Sequence, residues 1–74
     1  MNLKEAADAA KRHVTDAFAA EKPQNVRLEN WVYDDHMMVW SLTIGFTAVA
    51  QKGRSLKLVR VSEADKSVLS VRDA

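Results

Sequence analysis

The apolar residues of this chain change their spacing once, and the change falls at its only proline. Before Pro23, the residues Leu3, Ala6, Ala7, Ala10, Val14, Ala17 and Phe18 recur at intervals of three and four, the spacing of one stripe on a helix. From Val26 onward the spacing is two, the period of a half-buried strand. Pro23 enforces the boundary, because it lacks an N–H and pushes the residue before it out of the helical region. A single one-sided helix followed only by alternating segments must bury its stripe against a sheet made from the rest of the chain.

The helix is expected over residues 2–21. Asn2 followed three residues later by Glu5 has the form of a capping box, and the alanine-rich stripe allows close approach to a sheet. Strands are expected near 25–33, 38–50, 55–62 and 68–73. The run "DDH" at 34–36 separates the first pair, Lys52-Gly53 reads as a tight hairpin, and "SEADKS" at 62–67 is a longer polar turn. At 74 residues the chain has the length of one domain. The expectation is a single α+β domain spanning 1–74, with one N-terminal helix packed on a four-stranded antiparallel meander in two layers.

A two-residue turn at Lys52-Gly53 sets Phe46 opposite Val59 and Ile44 opposite Val61. Directly opposed residues share a face, so Trp40, Leu42, Ile44, Phe46 and Ala48 join Val59 and Val61 under the helix. A five-residue turn at 63–67 adds Leu69 opposite Val61 and Val71 opposite Val59. The first strand admits two parities. One buries Val26, Leu28 and Val32 with Asn30; the other buries Trp31 and Tyr33 with Arg27 and Glu29. The three aliphatics favour the first, while a bulge near Asn30 would switch faces midway. The first parity leaves an open face carrying Trp31, Tyr33, Val39, Val49, Leu56, Leu58, Arg60 and Val68. A contiguous apolar patch with aromatics marks an interaction surface, and these eight residues are the candidate interface. The expected partner is a second copy of the chain, since a core this small gains from oligomerisation.

Little in the sequence points to catalysis. Asp34, Asp35 and His36 are adjacent, and neighbours on an extended chain diverge instead of converging on a metal or substrate; they read as turn residues that bond their own backbone. His13 flanks the helix stripe, the five serines of residues 41–70 have no companion base pattern, and two glycines do not make a phosphate loop. Gly45, in mid-strand, marks a bulge or a close approach of neighbouring groups. Met37 and Met38 read as gap-fillers at the end of the sheet. No catalytic residue, metal or cofactor is expected. The chain has no cysteine, which excludes disulfides and thiolate metal sites and fits a reducing compartment. Eleven basic against ten acidic residues give a net charge of +1, too dilute for a nucleic-acid footprint. The opening "MNLKEAADAAKRH" has charges in its first turn and no long apolar run, so it reads as neither signal peptide nor membrane span. A cytoplasmic location is the expectation.

The helix "LKEAADAAKRHV" and the closing pair of strands in "LKLVRVSEADKSVLSVRD" resemble the PepSY domain and related small cystatin-like folds. Such domains end in two short strands around an Asp-containing turn, as "VRVSEADKSVLSV" does; Ser67 stands where the family usually places a turn glycine. The resemblance implies the α-plus-meander fold and a role in modulating or inhibiting a peptidase or toxin. The residues themselves imply a non-enzymatic binding module that self-associates through the open face. A small-ligand pocket between Trp31, Tyr33 and Arg60 is a further alternative.

Overall fold

A computed structural model describes residues 1–74, and its element order follows the change of period. Helix α1 (Leu3–Ala17) is followed by a short 3-10 turn at Ala19–Glu21, then strands β1 (Gln24–Asp34), β2 (Val39–Thr47), β3 (Ser55–Ser62) and β4 (Val68–Asp73). The strands form one antiparallel sheet in the order β1-β2-β3-β4, with α1 against one face. This is the expected two-layer α+β fold.

The helix begins where its capping box places it. Asn2 Oδ1 accepts from the Glu5 amide at 2.8 Å, and Glu5 Oε1 accepts from the Asn2 amide at 2.9 Å. Two otherwise orphaned amides are thereby satisfied. The α-helix is four residues shorter at its end than the stripe suggested: the chain tightens after Ala17, and Lys22 turns left-handed (φ 51°) ahead of Pro23. Ala6, Ala10 and Val14 are fully buried against Leu42, Ile44, Phe46, Ala48, Val59 and Val61. Phe18 closes the C-terminal end of the helix onto Phe46, ring centroids 5.9 Å apart. Lys57 reaches the same place, its ammonium 4.6 Å above the Phe18 ring and 2.6 Å from Asp73. Its stem thus covers apolar surface while its charge stays paired at the rim.

Three departures from the expected register matter for the surface. The β2–β3 connection is no two-residue turn: β2 ends at Thr47 and a seven-residue loop, Ala48–Arg54, precedes Ser55. Phe46 therefore pairs with Ser55, and Leu42 with Val59. The register has moved by four residues, and an even shift keeps every side chain on its face. The second departure is in β1, where the pairing jumps from Leu28↔Ile44 to Asn30↔Thr43, leaving Glu29 as a bulge. Leu28 faces the helix as the favoured parity required. Beyond the bulge the faces exchange, so Trp31 lies opposite Leu42, Tyr33 opposite Trp40, and Val32 opposite Ser41. Trp31 and Tyr33 are thus on the helix side and Val32 is on the open side, the reverse of the first parity. The third is a bulge in β4: Val68, not Leu69, pairs with Val61. Val68 accordingly packs against the core, and Leu69 is exposed.

On the open side, Gly45 lies beneath an ionic strap. The Glu29 carboxylate of the β1 bulge meets Arg54 Nε at 3.3 Å, and Arg54 Nη2 donates to the Asn25 carbonyl at 3.0 Å. A Cβ at Gly45 would lie 2.8 Å from Arg54 Nη2 and 2.9 Å from the Glu29 side chain. Gly45 is therefore a point of close approach, as its mid-strand position suggested.

Candidate functional site

The turn joining β1 to β2 is built by Asp34. Its Oδ1 accepts from the amides of His36 and Met37, each at 3.0 Å, and Met38 closes the turn with φ 56°. This is the backbone-bonding role that Asp commonly takes in turns. Asp35 and His36 stand exposed beside it. No three His, Asp or Glu side chains of the fold come together in a way that would hold a metal ion.

Exposed apolar surface concentrates around this turn. Of the eight exposed large hydrophobic residues, Trp31, Val32, Tyr33, Met37 and Met38 fall within the eight positions 31–38. They occupy both faces of the hairpin end: Trp31 (51 % exposed) and Tyr33 (38 %) on the helix side, Val32 (60 %) on the other. Clustering of this kind differs from singly scattered exposed leucines, which need no explanation. Met37 and Met38 fill no gap. Their position inside a turn was the signal, because turns ordinarily carry polar residues.

The helix-side half of this end has defined geometry. Tyr33 and Trp40 pack with ring centroids 4.6 Å apart and a tilt of 44°, a spacing at which aromatic pairs attract. The Trp40 indole N–H donates to Glu63 Oε2 at 2.5 Å, and the N-terminal amine donates to Glu63 Oε1 at 2.9 Å. Those two hydrogen bonds, the amine's first, hold the Glu63 carboxyl below the usual carboxylate range against the opposing effect of its burial. The Glu63 amide also donates to the Met38 carbonyl at 2.9 Å, tying the β3–β4 turn to the β1–β2 turn. The Tyr33 phenol is pushed above its ordinary value, first by loss of solvation and then by the negative charges of Glu63, Asp35 and Asp34.

The eight candidate interface residues do not form one patch. Val39, Leu56, Leu58 and Arg60 have the open-side parity of the central strands, paired with Ser62, Gly45, Thr43 and Ser41 respectively; Val39 is buried, whereas Leu56 is 42 % exposed. Val49 projects from the Ala48–Arg54 loop. Trp31, Tyr33 and Val68 are on the helix side. A pocket shared by Trp31, Tyr33 and Arg60 is consequently ruled out, since Arg60 points from the opposite face of the sheet. A shallow concavity of about 300 Å³ exists elsewhere, between the 3-10 turn and the β2–β3 loop, lined by residues such as Ala20, Lys22 and Val49. Its lining mixes small apolar side chains with those of Glu21, Lys22 and Gln51. No helix is long and apolar enough to cross a membrane.

Comparison with protein-family models, with characterised proteins and with solved structures finds no match for this chain.

Proposed function

We propose that this protein is a small non-enzymatic binding module whose docking surface is the β1–β2 end of its sheet. The observation that carries this reading is the concentration of Trp31, Val32, Tyr33, Met37 and Met38 at one exposed hairpin end. Tryptophan and tyrosine are the residues most enriched at binding hot spots, and this end is anchored by the Asp34 turn and by Glu63. If the partner were a peptidase, the role would be the one that the PepSY-like and cystatin-like resemblance implies. Affinity capture from the native cell compares the unmodified chain with Trp31→Thr and Met37→Ser. Retention by the unmodified chain and loss by both variants supports the reading; equal capture by all three overturns it.

A second reading, self-association through the open face, is favoured by the exposure of Val32 and Leu56 beside Leu58 on a side that no helix covers. Against it, that side also carries Arg27, Arg60 and Arg72, paired with Gly45, Ser41 and Leu58. Stacking two copies face to face would bring these like charges together. The strap over Gly45 covers part of the same side. Light scattering at high micromolar concentration separates the two: a dimer broken by Leu58→Asp supports the open face, and a monomer removes it.

A further inference from the structure

The outer edge of β1 has no strand beside it, and one stretch of that edge is complementary to itself. The Glu63 amide donates to the Met38 carbonyl at 2.9 Å, so positions 63 and 38 continue the β2–β3 ladder as a hydrogen-bonded pair. Such pairs alternate along an antiparallel ladder, which makes Trp40–Val61 and Leu42–Val59 hydrogen-bonded as well. The Ala74 amide, donating to the Leu56 carbonyl at 3.1 Å, gives the same alternation from the β4 side. Trp40 and Leu42 therefore turn their N–H and C=O groups to β3. Tyr33 and Trp31 lie opposite them and turn theirs outward, away from β2. The Trp31 amide agrees: it donates to the adjacent side chain, Asn30 Oδ1, at 2.9 Å.

An uncovered sheet edge is a template for another strand. Asn25, with φ 53°, and the Glu29 bulge interrupt the earlier part of β1. The regular part of its edge is thus Asn30–Asp34, exposed at every residue. This stretch has no lysine, proline or bulge to guard it. The opposite edge, β4, is six residues long, bulged, and carries Arg72 and Asp73. Val32 is the middle residue of Asn30–Asp34. Antiparallel pairing of two copies about Val32 sets Trp31 opposite the second copy's Tyr33 on the helix side. On the open side it sets Val32 opposite itself and Asn30 opposite the second copy's Asp34. The pairs are aromatic with aromatic, aliphatic with aliphatic, and amide with carboxylate, all favourable across a ladder. Trp31 and Tyr33 are also the residues whose backbone groups point outward, so each such pair can exchange both N–H···O bonds. Glu29 and Asp35 meet just beyond the stretch, where the Glu29 charge is already held by Arg54.

We infer that two copies of the chain pair antiparallel through Asn30–Asp34 of β1, with Val32 on the two-fold axis, joining their sheets edge to edge. This rests on the reading of the β1–β2 end as the docking surface and names a second copy as its occupant. The pairing closes after two chains, whereas β1 against β4 would leave a free edge of each kind and propagate.

Sedimentation velocity on the full chain, from low to high micromolar concentration, is expected to show a monomer–dimer equilibrium. A residue on the two-fold axis meets its own copy. Val32→Lys and Val32→Glu therefore each oppose like charges and should weaken association about tenfold or more. An equimolar mixture of the two variants opposes unlike charges, and the dimer should return with the salt sensitivity of an ion pair. Val32 is 60 % exposed, so both variants should keep a urea midpoint near that of the unmodified chain. A dimer that neither substitution weakens overturns the inference, and so does one that both weaken without recovery in the mixture. A monomer at every concentration overturns it too, and affinity capture with Trp31→Thr then separates the two readings. Capture lost in that variant leaves the docking surface standing for another occupant; capture unchanged removes that surface as well.

Discussion

Replacing Gly45 by alanine asks whether the strap across the open side has the tightness that its geometry implies. Gly45 has no left-handed backbone, so alanine fits the strand and lowers the entropy of the unfolded chain, a gain of roughly 0.5–1 kcal/mol. The new methyl would, however, sit 2.8 Å from Arg54 Nη2 and 2.9 Å from Glu29 Cγ and Oε2. Both side chains would have to retreat by about half an ångström to reach ordinary contact. That retreat sacrifices a partly exposed ion pair, on the order of 0–1 kcal/mol, and the guanidinium bond to the Asn25 carbonyl, on the order of 1 kcal/mol. The balance is a net loss of about 0.5–1 kcal/mol for Gly45→Ala alone. In an Arg54→Ala background the nearest obstacle is gone and Glu29 is free to swing out. There the same substitution should stabilise the protein by about 0.5–1 kcal/mol. Urea unfolding followed by tryptophan fluorescence, with all four members of the cycle, measures the reversal of sign. An effect of the same sign and size in both backgrounds would refute the strap as the reason for the glycine.

Three further outcomes test the local structure. Asn2→Ala should cost about 1 kcal/mol in urea unfolding by removing the cap, while Asn2→Asp keeps most of it. Met38→Gly should raise the thermal midpoint, because a methionine held at φ 56° carries strain of roughly 1 kcal/mol that glycine does not; an unchanged or lower midpoint would show that the turn imposes no such strain. Asp65 is held below the usual carboxylate range, first by the Ser67 hydroxyl and then by the Ser67 amide. With its folded value depressed, Asp65 contributes stability above its unfolded value and loses it as pH falls through the folded one. Ser67→Ala should therefore flatten the acid limb of the stability curve, and a curve unaltered between neutral and acid pH would contradict that role.

The helix and the core are legible in the sequence because each rests on a repeated signal. The capping box, the alanine stripe and Pro23 all specify one helix, and Leu42, Ile44, Phe46, Val59 and Val61 reach the core although their pairing differs by four residues from the expected one. Burial depends on parity, and an even slip preserves it. The loop is obscured because Ala48, Val49 and Ala50 continue an apolar run, so the glycine signal at Gly53 suggests a tighter turn than the chain makes. The two bulges have the larger consequence. A bulge adds one residue without a required glycine, and "LENWVY" carries no such marker. One signal is present: Leu28 and Trp31 are three apart with Glu29 and Asn30 between them, a spacing at which two apolar residues share a strand face only across a bulge. Taking that spacing as the guide moves Trp31 and Tyr33 beside the helix, and the surface of interest moves from the middle of the open face to the hairpin end.

The most direct test of that surface is to measure how accessible Trp31 is. A neutral nitroxide added to the dilute, unmodified protein broadens the indole N–H resonances of Trp31 and Trp40 separately. An exposed Trp31, beside a Trp40 whose indole N–H is held by Glu63, predicts that Trp31 broadens strongly and Trp40 weakly. A Trp31 indole as protected as that of Trp40 would contradict the account.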